Sequence, residues 1–225
     1  MRIDIVSGLP AILESPLNES MIKQARKRKL VEIHLHDLRD YAHDKHRTID
    51  DTPYGGGAGM ILKPEPIFEC VEALQKKRHY DEIIYVTADG ERFTQNIANE
   101  LSLKDNLMIL CGHYKGIDER VRYALVTKEI SIGDYVLTGG ELAALVFVDA
   151  VVRLIPGVLN DSASLLTDSF QDNLLDAPWY TRPPEFRGMK VPEVLLKGDH
   201  RETETWRHEE RLKKTRKRRK DLLKD

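Results

Sequence analysis

The segment 129–145, EISIGDYVLTGGELAAL, places a glycine pair and a carboxylate at the start of an apolar helix pattern. Glycine-rich turns often bind phosphate, but they do so with Lys and Ser or Thr, or with bare amides at a helix N-terminus. Here Glu141 follows Gly139 and Gly140, and no Lys or Arg occurs between this turn and Arg153. A carboxylate in the first turn would repel a phosphate. The segment therefore favours a flat uncharged heterocycle or a cationic ligand.

Two further glycine-bearing turns follow apolar runs, YVTADGE at 85–91 and CGHYKGIDERV at 111–121. Turns at the carboxyl ends of parallel strands converge on one crevice, the usual ligand position in an α/β sheet. Each turn alone is equally compatible with an ordinary strand-to-helix connection. Their joint occurrence with the first turn predicts one shared binding site.

A fourth glycine-rich stretch, HDKHRTIDDTPYGGGAGM, covers residues 43–60. Glycine allows backbone to approach a ligand closely, and four glycines within five positions exclude regular structure there. The stretch is interpreted either as a ligand-contacting loop or as a flexible surface loop.

The elements that position these turns alternate along residues 1–159. Apolar, β-branched runs predict strands at RIDIV, LVEIHL, EIIYVT, NLMILCG and KEISIG, and helical patterns lie at 18–29, 64–77, 93–103 and 118–125. This alternation predicts an α/β domain with a mostly parallel sheet. A helix over 140–155, apolar nearly all round, is expected in a core or in a subunit interface.

After residue 159 the composition becomes polar and rich in Pro and Gly, and a charged helix pattern begins near Arg201. We interpret 160–169 as an interdomain linker and 170–225 as a small helical domain. Residues 207–225 hold ten Lys or Arg and four Asp or Glu, a net charge of +6, so the net −2 of the whole chain leaves −8 for residues 1–206. This end and the run KQARKRK at 23–29 suit a nucleic-acid backbone, or else are solvated basic faces.

Composition restricts the class of protein. With 41% hydrophobic and 32% charged residues the chain is ordinary for a globular protein. The two cysteines, Cys70 and Cys111, have no metal-ligand spacing and are expected to be reduced and buried. The N-terminus lacks a secretory signal pattern, and the longest apolar stretch is too short for a bilayer. We expect a cytoplasmic protein without a membrane partner.

Several segments together resemble one known family. YGGGAGM, CGHYKGIDERV, EISIGDYVLTGGE, RLIPGVL, DSF and VPEVLLKGDH occur in this order and are similar to segments of TrmD, the bacterial tRNA (guanine-N1)-methyltransferase family of the SPOUT superfamily. The resemblance runs from the N-terminus to about Trp206. It implies a SPOUT fold with a deep trefoil knot, an obligate homodimer, a tRNA substrate gripped by the helical C-terminal domain, and S-adenosylmethionine as methyl donor.

The family's functional positions transfer onto matching residues. The resemblance implies a donor-binding knot at about 85–140, with donor contacts from Tyr85, Val86, Thr87, Ala88, Asp89, Gly90, Gly112, Tyr114, Lys115, Gly116, Ser131, Ile132, Gly133, Asp134, Tyr135, Val136, Leu137, Gly139 and Gly140. We predict no metal-ligating residue in this chain. This agrees with the residue types of the first turn, because the donor carries adenine and a cationic sulfonium but no phosphate.

The implied reaction needs a base, because guanine N1 carries a proton at neutral pH, and it needs stabilisation of the negative charge that spreads onto O6. The resemblance assigns the base to Asp168 and the charge stabilisation to Arg153. By residue type alone, Arg153 is equally suited to an i,i+4 ion pair with Asp149, and Asp168 to a solvated loop. The implied target is guanosine 37 of the anticodon loop, next to another guanosine, with Asp50 and Gly59 expected beside the flipped base.

The chain departs from the family pattern at Lys115, where the family usually has Glu, and at YVTADG, commonly YLSPQG. Lys115 leaves open whether magnesium is required. Two alternative hypotheses therefore stand beside the implied activity: a SPOUT methyltransferase for another RNA position, and an RNA-binding protein whose catalytic pocket has decayed.

Overall fold

The computed structural model describes residues 1–159 and 168–223 of the chain. The backbone divides into two units, Met1–Asn160 and Asp161–Asp225. Most of the expected linker, residues 160–167, lies outside the described residues.

The first unit alternates strands and helices. Its strands are β1 (Arg2–Ser7), β2 (Glu32–Asp37), β3 (Asp50–Asp51), β4 (Ile61–Leu62), β5 (Glu82–Arg92), β6 (Asn106–Cys111) and β7 (Lys128–Ser131). Its α-helices are α1 (Ala11–Leu17), α2 (Ser20–Lys27), α3 (Pro64–Gln75), α4 (Gln95–Ser102), α5 (Glu119–Leu125) and α6 (Glu141–Val152), with a 3-10 helix at Leu38–Tyr41.

Five strands form one sheet in the order β2-β1-β6-β5-β7, and every pairing in it is parallel. The predicted α/β class with a mostly parallel sheet is confirmed, and all five predicted main strands are present. The short strands β3 and β4 pair antiparallel apart from this sheet. Parallel strands align their carboxyl ends, so the loops after β5, β6 and β7 open at one edge.

Hydrophobic side chains cover both faces of the sheet. One cluster joins alternate strand residues such as Ile5 and Ile109 to α1, α2, α4 and α6, and it contains Phe147. The other joins the intervening strand residues, such as Met108 and Leu110, to α3 and α5. Because both faces are buried, the central strands read as continuous apolar runs. Both cysteines are free and buried in these clusters, as expected.

Helix α6 begins directly after Gly139 and Gly140. Its apolar pattern runs nearly all round, and seven of its twelve residues are buried. The exposed side chains Leu142 and Val146 lie one turn apart on the remaining face, 51% and 50% accessible. The first unit therefore presents an apolar stripe along α6.

The second unit contains the 19-residue helix α7 (His200–Arg218) and a short hairpin of β8 (Glu185–Phe186) and β9 (Met189–Lys190). The Asp199 side chain caps α7 by accepting from the backbone N–H groups of Arg201 and Glu202. Short 3-10 helices lie at Glu193–Leu195 and Lys220–Leu223. A long helix is thus present in the segment that the sequence predicts to be a small helical domain.

Two local features differ from the predictions. Helix α1 was not predicted, because Pro16 lies inside it and breaks the sequence pattern. The turn expected at 85–91 is instead part of β5, which continues to Arg92 with a register shift.

Candidate functional site

A cavity of about 310 Å³ opens at the carboxyl ends of β5, β6 and β7. Three segments form most of its walls: 85–88 within β5, 112–116 after β6, and 130–140 from the end of β7 onward. They lie within the three glycine-bearing sequence motifs. The structure thus brings together segments that lie up to 55 positions apart in the chain.

Most residues expected to bind the donor line this cavity. They are Tyr85, Val86, Thr87, Ala88, Gly112, Tyr114, Lys115, Gly116, Ser131, Ile132, Gly133, Tyr135, Val136, Leu137, Gly139 and Gly140. The remaining three, Asp89, Gly90 and Asp134, are not among the lining residues. The lining also includes His113, Ile130, Thr138 and Ala143, which were not selected from the sequence. His113 and Thr138 lie inside the motifs already identified, so motif continuity would have found them.

Asp89 lies in the irregular part of β5 and does not line the cavity. Val86 and Glu91 both pair with Ile130 of β7, so residues 87–90 loop out of the ladder. At Gly90 an added Cβ would lie 2.6 Å from the backbone nitrogen of Ile130. Glycine is therefore needed at position 90 because the backbone of β5 passes close to the backbone of β7 there, so its role is structural.

Arg122 of α5 holds this loop from outside. Its Nη2 lies 2.9 Å from Oδ2 of Asp89 and 2.6 Å from Oε2 of Glu129. The hydrogen bonds and charges of these carboxylates raise the pKa of Arg122 above its ordinary value, against the opposing effect of burial. The Thr87 hydroxyl and the Arg122 guanidinium, both hydrogen-bonded to Asp89, lower the pKa of that carboxyl. The cavity's first wall is thus fixed by ion pairs.

Close backbone contact shapes the second and third walls. The N–H of Gly140 donates to the carbonyl of Gly112 at 2.8 Å. A Cβ on Gly140 would lie 2.9 Å from Cγ2 of Val86 and 3.0 Å from Cα of Cys111. The start of α6 therefore lies directly against the ends of β5 and β6, a packing only glycine permits.

Behind this contact lies a buried carboxylate. Glu141 is 2% accessible, and its Oε1 accepts from the Ser7 hydroxyl at 2.7 Å. Its other oxygen lies 3.9 Å from Nδ1 of His113, which lines the cavity. Glu141 thus lies behind the wall and places a carboxyl group in the first turn of α6.

The glycine loop at 55–59 meets the cavity at one point. The N–H of Lys115 donates to the carbonyl of Met60 at 3.0 Å, and the aliphatic stem of Lys115 passes over Gly59. Asp50 lies in β3 opposite Leu62 of β4 and does not line the cavity. The structure therefore places Gly59 beside the cavity wall and Asp50 farther along the same segment.

Arg153 lies at the other end of α6 from the cavity. It is the C-cap of this helix, roughly 18 Å along the axis from Glu141 at 1.5 Å per residue. Together with Asp149, Val146 and residues of α1 and α2 it lines a separate cleft of about 510 Å³. The Arg153 side chain therefore does not line the cavity at the start of α6.

Asp168 belongs to the second unit and is half-buried. Its carbonyl accepts from the N–H of Gln171 at 3.4 Å, and the next residue, Ser169, accepts from the N–H of Asp176 through its hydroxyl at 2.9 Å. The segment after the linker is therefore a turn held by local hydrogen bonds.

Basic and aromatic side chains share the surface of the second unit. The Arg207 guanidinium carbon lies 4.7 Å from the Trp179 ring centroid, and the Tyr180 and Trp206 rings are 6.4 Å apart. Trp179, Tyr180 and Phe186 are exposed. Such surfaces stack unpaired bases and bind phosphate.

Within residues 1–159 and 168–223, no group of three or more His, Cys, Asp or Glu side chains is arranged to hold a metal ion. Each helix in that part of the chain is too short or too polar to cross a membrane.

Comparison with known proteins gives full-length matches. Residues 1–225 match the family described as tRNA (Guanine-1)-methyltransferase TrmD. A tRNA (guanine-N(1)-)-methyltransferase of Bacteroides fragilis is 58% identical over 225 residues, covering 100% of both chains. One of Chlorobaculum tepidum is 57% identical over 223 residues, covering 99% of this chain and 97% of the relative. One of Flavobacterium johnsoniae is 55% identical over 225 residues, again covering 100% of both.

Proposed function

The chain belongs to the TrmD family of tRNA (guanine-1)-methyltransferases, and on this premise we propose that it methylates N1 of guanosine 37 in tRNAs whose preceding nucleotide is also guanosine. The methyl donor is S-adenosylmethionine. The observation that carries the proposal is the cavity at the carboxyl ends of β5, β6 and β7, built from the family's own motifs.

The residues of the cavity fit this donor. Its volume of about 310 Å³ suits a small ligand. Ile132, Val136 and Leu137 supply apolar surface for adenine, and the glycines at 112, 139 and 140 expose main-chain donors and acceptors to its polar edge. Glu141 behind the wall favours a cation over a phosphate. When bound, the donor supplies a methyl group from its sulfonium.

Asp168 and Arg153 carry the proton and charge chemistry in this proposal. The carboxylate of Asp168 accepts the N1 proton of guanine as the N1–methyl bond forms, and the guanidinium of Arg153 stabilises the charge that spreads onto O6. Arg is suited to this role because its charge is permanent and its donors are planar. A positioned base contributes about 10² to 10⁴ in rate.

We propose that two chains complete each site. Arg153 lies roughly 18 Å along α6 from the donor cavity of its own chain, beyond the reach of its side chain. The apolar stripe of Leu142 and Val146 lies between them. A two-fold dimer that buries this stripe on both chains brings the C-terminal end of each α6 towards the start of the other. The stripe therefore supports a homodimer with composite active sites.

The tRNA contacts follow from charge and exposure. The basic end of α7 and the exposed Trp179 suit the backbone and unstacked bases of an anticodon stem-loop. The segment from Asp50 to Gly59 is proposed as a wall for the flipped guanine, since Gly59 adjoins the cavity-lining Lys115. A deep knot at about 85–140 and a cytoplasmic location, where tRNA is modified, complete the proposal.

Methyl transfer from radiolabelled donor to unmodified tRNA transcripts tests this function. A transcript with guanosine at 36 and 37 is expected to gain one 1-methylguanosine, and transcripts with adenosine at 37 or at 36 are expected to gain little. Absence of transfer by the folded protein would refute the proposal. Label at another nucleotide would indicate a different SPOUT activity.

Asp168→Ala sharpens this test. We expect a rate reduced by about 10² to 10⁴ with unchanged binding of S-adenosylhomocysteine. The exposed Asp105 offers a matched control, and Asp105→Ala should leave both quantities near wild type. Loss of ligand binding in Asp168→Ala would show that the residue is structural.

A further inference from the structure

We propose that the ammonium group of Lys115 binds the α-carboxylate of the methyl donor's amino-acid tail and so makes the site selective for donors that carry this tail. The inference rests on the proposed function and adds a ligand subsite to it.

The residue types that line the cavity indicate Lys115 as the partner of the donor's carboxylate. Among the residues that the structure describes, the lining consists of glycines, apolar residues, hydroxyl side chains, His113 and one lysine, Lys115, with no Arg, Asp or Glu. The donor carries a carboxylate that loses water when it enters such a site. A carboxylate removed from water needs a cationic or hydrogen-bonding partner.

The path of the side chain supports the same assignment. A Cβ on Gly59 would lie 3.1 Å from Cγ and 3.3 Å from Cε of Lys115, so the stem lies flat over this glycine. The neighbouring residues Tyr114 and Gly116 both have positive φ, 56° and 110°, and the N–H of Lys115 is held by Met60. This backbone and the glycine loop restrict where the ammonium can lie.

The ammonium is also available for a ligand. In the described residues, 1–159 and 168–223, Lys115 forms no ion pair with a carboxylate within 4.0 Å. Its side chain is exposed at the mouth of the cavity. A tRNA phosphate is the other acidic group that could reach such a position, and the experiment separates the two.

Calorimetric titration with two nucleoside probes tests the inference in the absence of tRNA. S-adenosylhomocysteine carries the α-carboxylate, and 5′-methylthioadenosine lacks the whole amino-acid tail. Lys115→Met is expected to raise the dissociation constant of S-adenosylhomocysteine by about tenfold, as for a lost charge-assisted contact, and to change that of 5′-methylthioadenosine less than about twofold.

Two further variants control the measurement. Lys115→Arg keeps the charge and is expected to retain most of the preference for S-adenosylhomocysteine. Lys77→Met removes an exposed lysine just after α3, at the opposite edge of the sheet, and is expected to behave as wild type towards both probes. Added salt should weaken S-adenosylhomocysteine binding more in the wild type than in Lys115→Met.

Three outcomes would overturn the inference. Equal losses for both probes in Lys115→Met would indicate a structural role, and unchanged S-adenosylhomocysteine binding with weakened tRNA binding would assign Lys115 to a phosphate. Failure of the wild-type protein to bind either probe would overturn the proposed function as well, which distinguishes it from the first two results.

Discussion

The hydroxyl of Ser7 donates a 2.7 Å hydrogen bond to Oε1 of Glu141, joining the carboxyl end of β1 to the first turn of α6 across 134 positions of the chain. The same hydroxyl accepts from the N–H of Leu9 at 2.8 Å. Both side chains are buried. This contact anchors the turn that forms one wall of the donor cavity.

We therefore expect Ser7→Ala to lower the free energy of unfolding by about 1 to 3 kcal/mol, because it leaves a buried carboxylate oxygen without its donor. Glu141→Gln preserves the shape of the side chain and an oxygen that accepts from Ser7. It should therefore lower the free energy of unfolding less than Glu141→Leu does. Urea denaturation measures all three. A Glu141→Leu protein as stable as the wild type would contradict this role.

Gly140→Ala is expected to damage the donor cavity. The added methyl group would lie 2.9 to 3.1 Å from Val86, Cys111 and Gly112, and such overpacking costs about 1 to 3 kcal/mol. Because the same contact shapes the cavity, S-adenosylhomocysteine affinity should fall by about tenfold, the equivalent of 1.4 kcal/mol. Gly188→Ala is the control for affinity: its φ of 77° makes the substitution strained, but its Cβ would meet no atom within 4 Å and it lies in the second unit. Gly188→Ala should therefore leave S-adenosylhomocysteine affinity unchanged, and equal effects on affinity would refute the packing argument.

Arg122→Gln is expected to loosen the loop at 87–90. It removes the ion pairs with Asp89 and Glu129 that hold this loop beside the cavity. Amide hydrogen exchange at 87–90 should accelerate and donor affinity should drop several-fold, because the wall is no longer preorganised. The neighbouring Arg120 forms an ion pair with Asp118, two positions away, and its side chain is 68% accessible, so Arg120→Gln should change neither measurement.

The composite site can be tested with mixed dimers. A chain with Gly140→Ala retains Asp168 and Arg153, and a chain with Asp168→Ala retains the donor cavity. Co-expressed with separate affinity tags and purified as a heterodimer, the two should recover up to about half of wild-type activity per dimer. The pair Gly140→Ala and Arg153→Ala should complement in the same way. With donor well below its dissociation constant, sites contained within one chain would leave both heterodimers with only about a twentieth of wild-type activity, because the Gly140→Ala cavity binds donor about tenfold more weakly.

The dimer itself is expected to depend on the α6 stripe. Val146→Glu places a charge on an apolar face that is 50% accessible in the single chain, so sedimentation should show a monomer with little methyl transfer. Leu103, 83% accessible after α4, is the control, and Leu103→Glu should sediment as the wild type does. A dimeric Val146→Glu protein would exclude this surface as the interface.

Asp4 is expected to control stability in acid. It is fully buried on β1; burial alone would raise the pKa of its carboxyl, but hydrogen bonds from His36, Arg2 and Tyr80 outweigh burial and lower it well below the ordinary value. The resulting stabilisation is present above the unfolded-state pKa of about 3.9 and is lost as pH falls below it. Asp4→Asn should lower the free energy of unfolding by about 3 kcal/mol at pH 7. In this variant the free energy of unfolding should also fall less steeply between pH 5 and about 2.

Much of the fold follows from local pattern. The runs RIDIV and NLMILCG are apolar at nearly every position because both faces of a central parallel strand are buried, so the strands and the α/β class were predictable. The short strands β3 and β4 were not, since two-residue pairings carry no periodicity. Helix α1 was hidden by its internal proline.

The kind of ligand expected in the cavity also followed in part from residue types. Glu141 after the glycine pair excludes phosphate whatever the fold, because like charges repel at a helix start. The motifs around Gly112 and Gly140 were therefore enough to predict a shared ligand site and, with the family resemblance, its donor.

The sequence alone thus determined the kinds of elements, the chemical character of the cavity and the family, because each depends on residue types at short spacing. Only the tertiary structure decided which distant residues meet: that Ser7 supports Glu141, that Asp89 turns to Arg122, and that Arg153 lies at the far end of α6. These relationships depend on strand register, on a looped-out segment and on helix length in space. No local pattern encodes them, since they arise only when separate segments pack together.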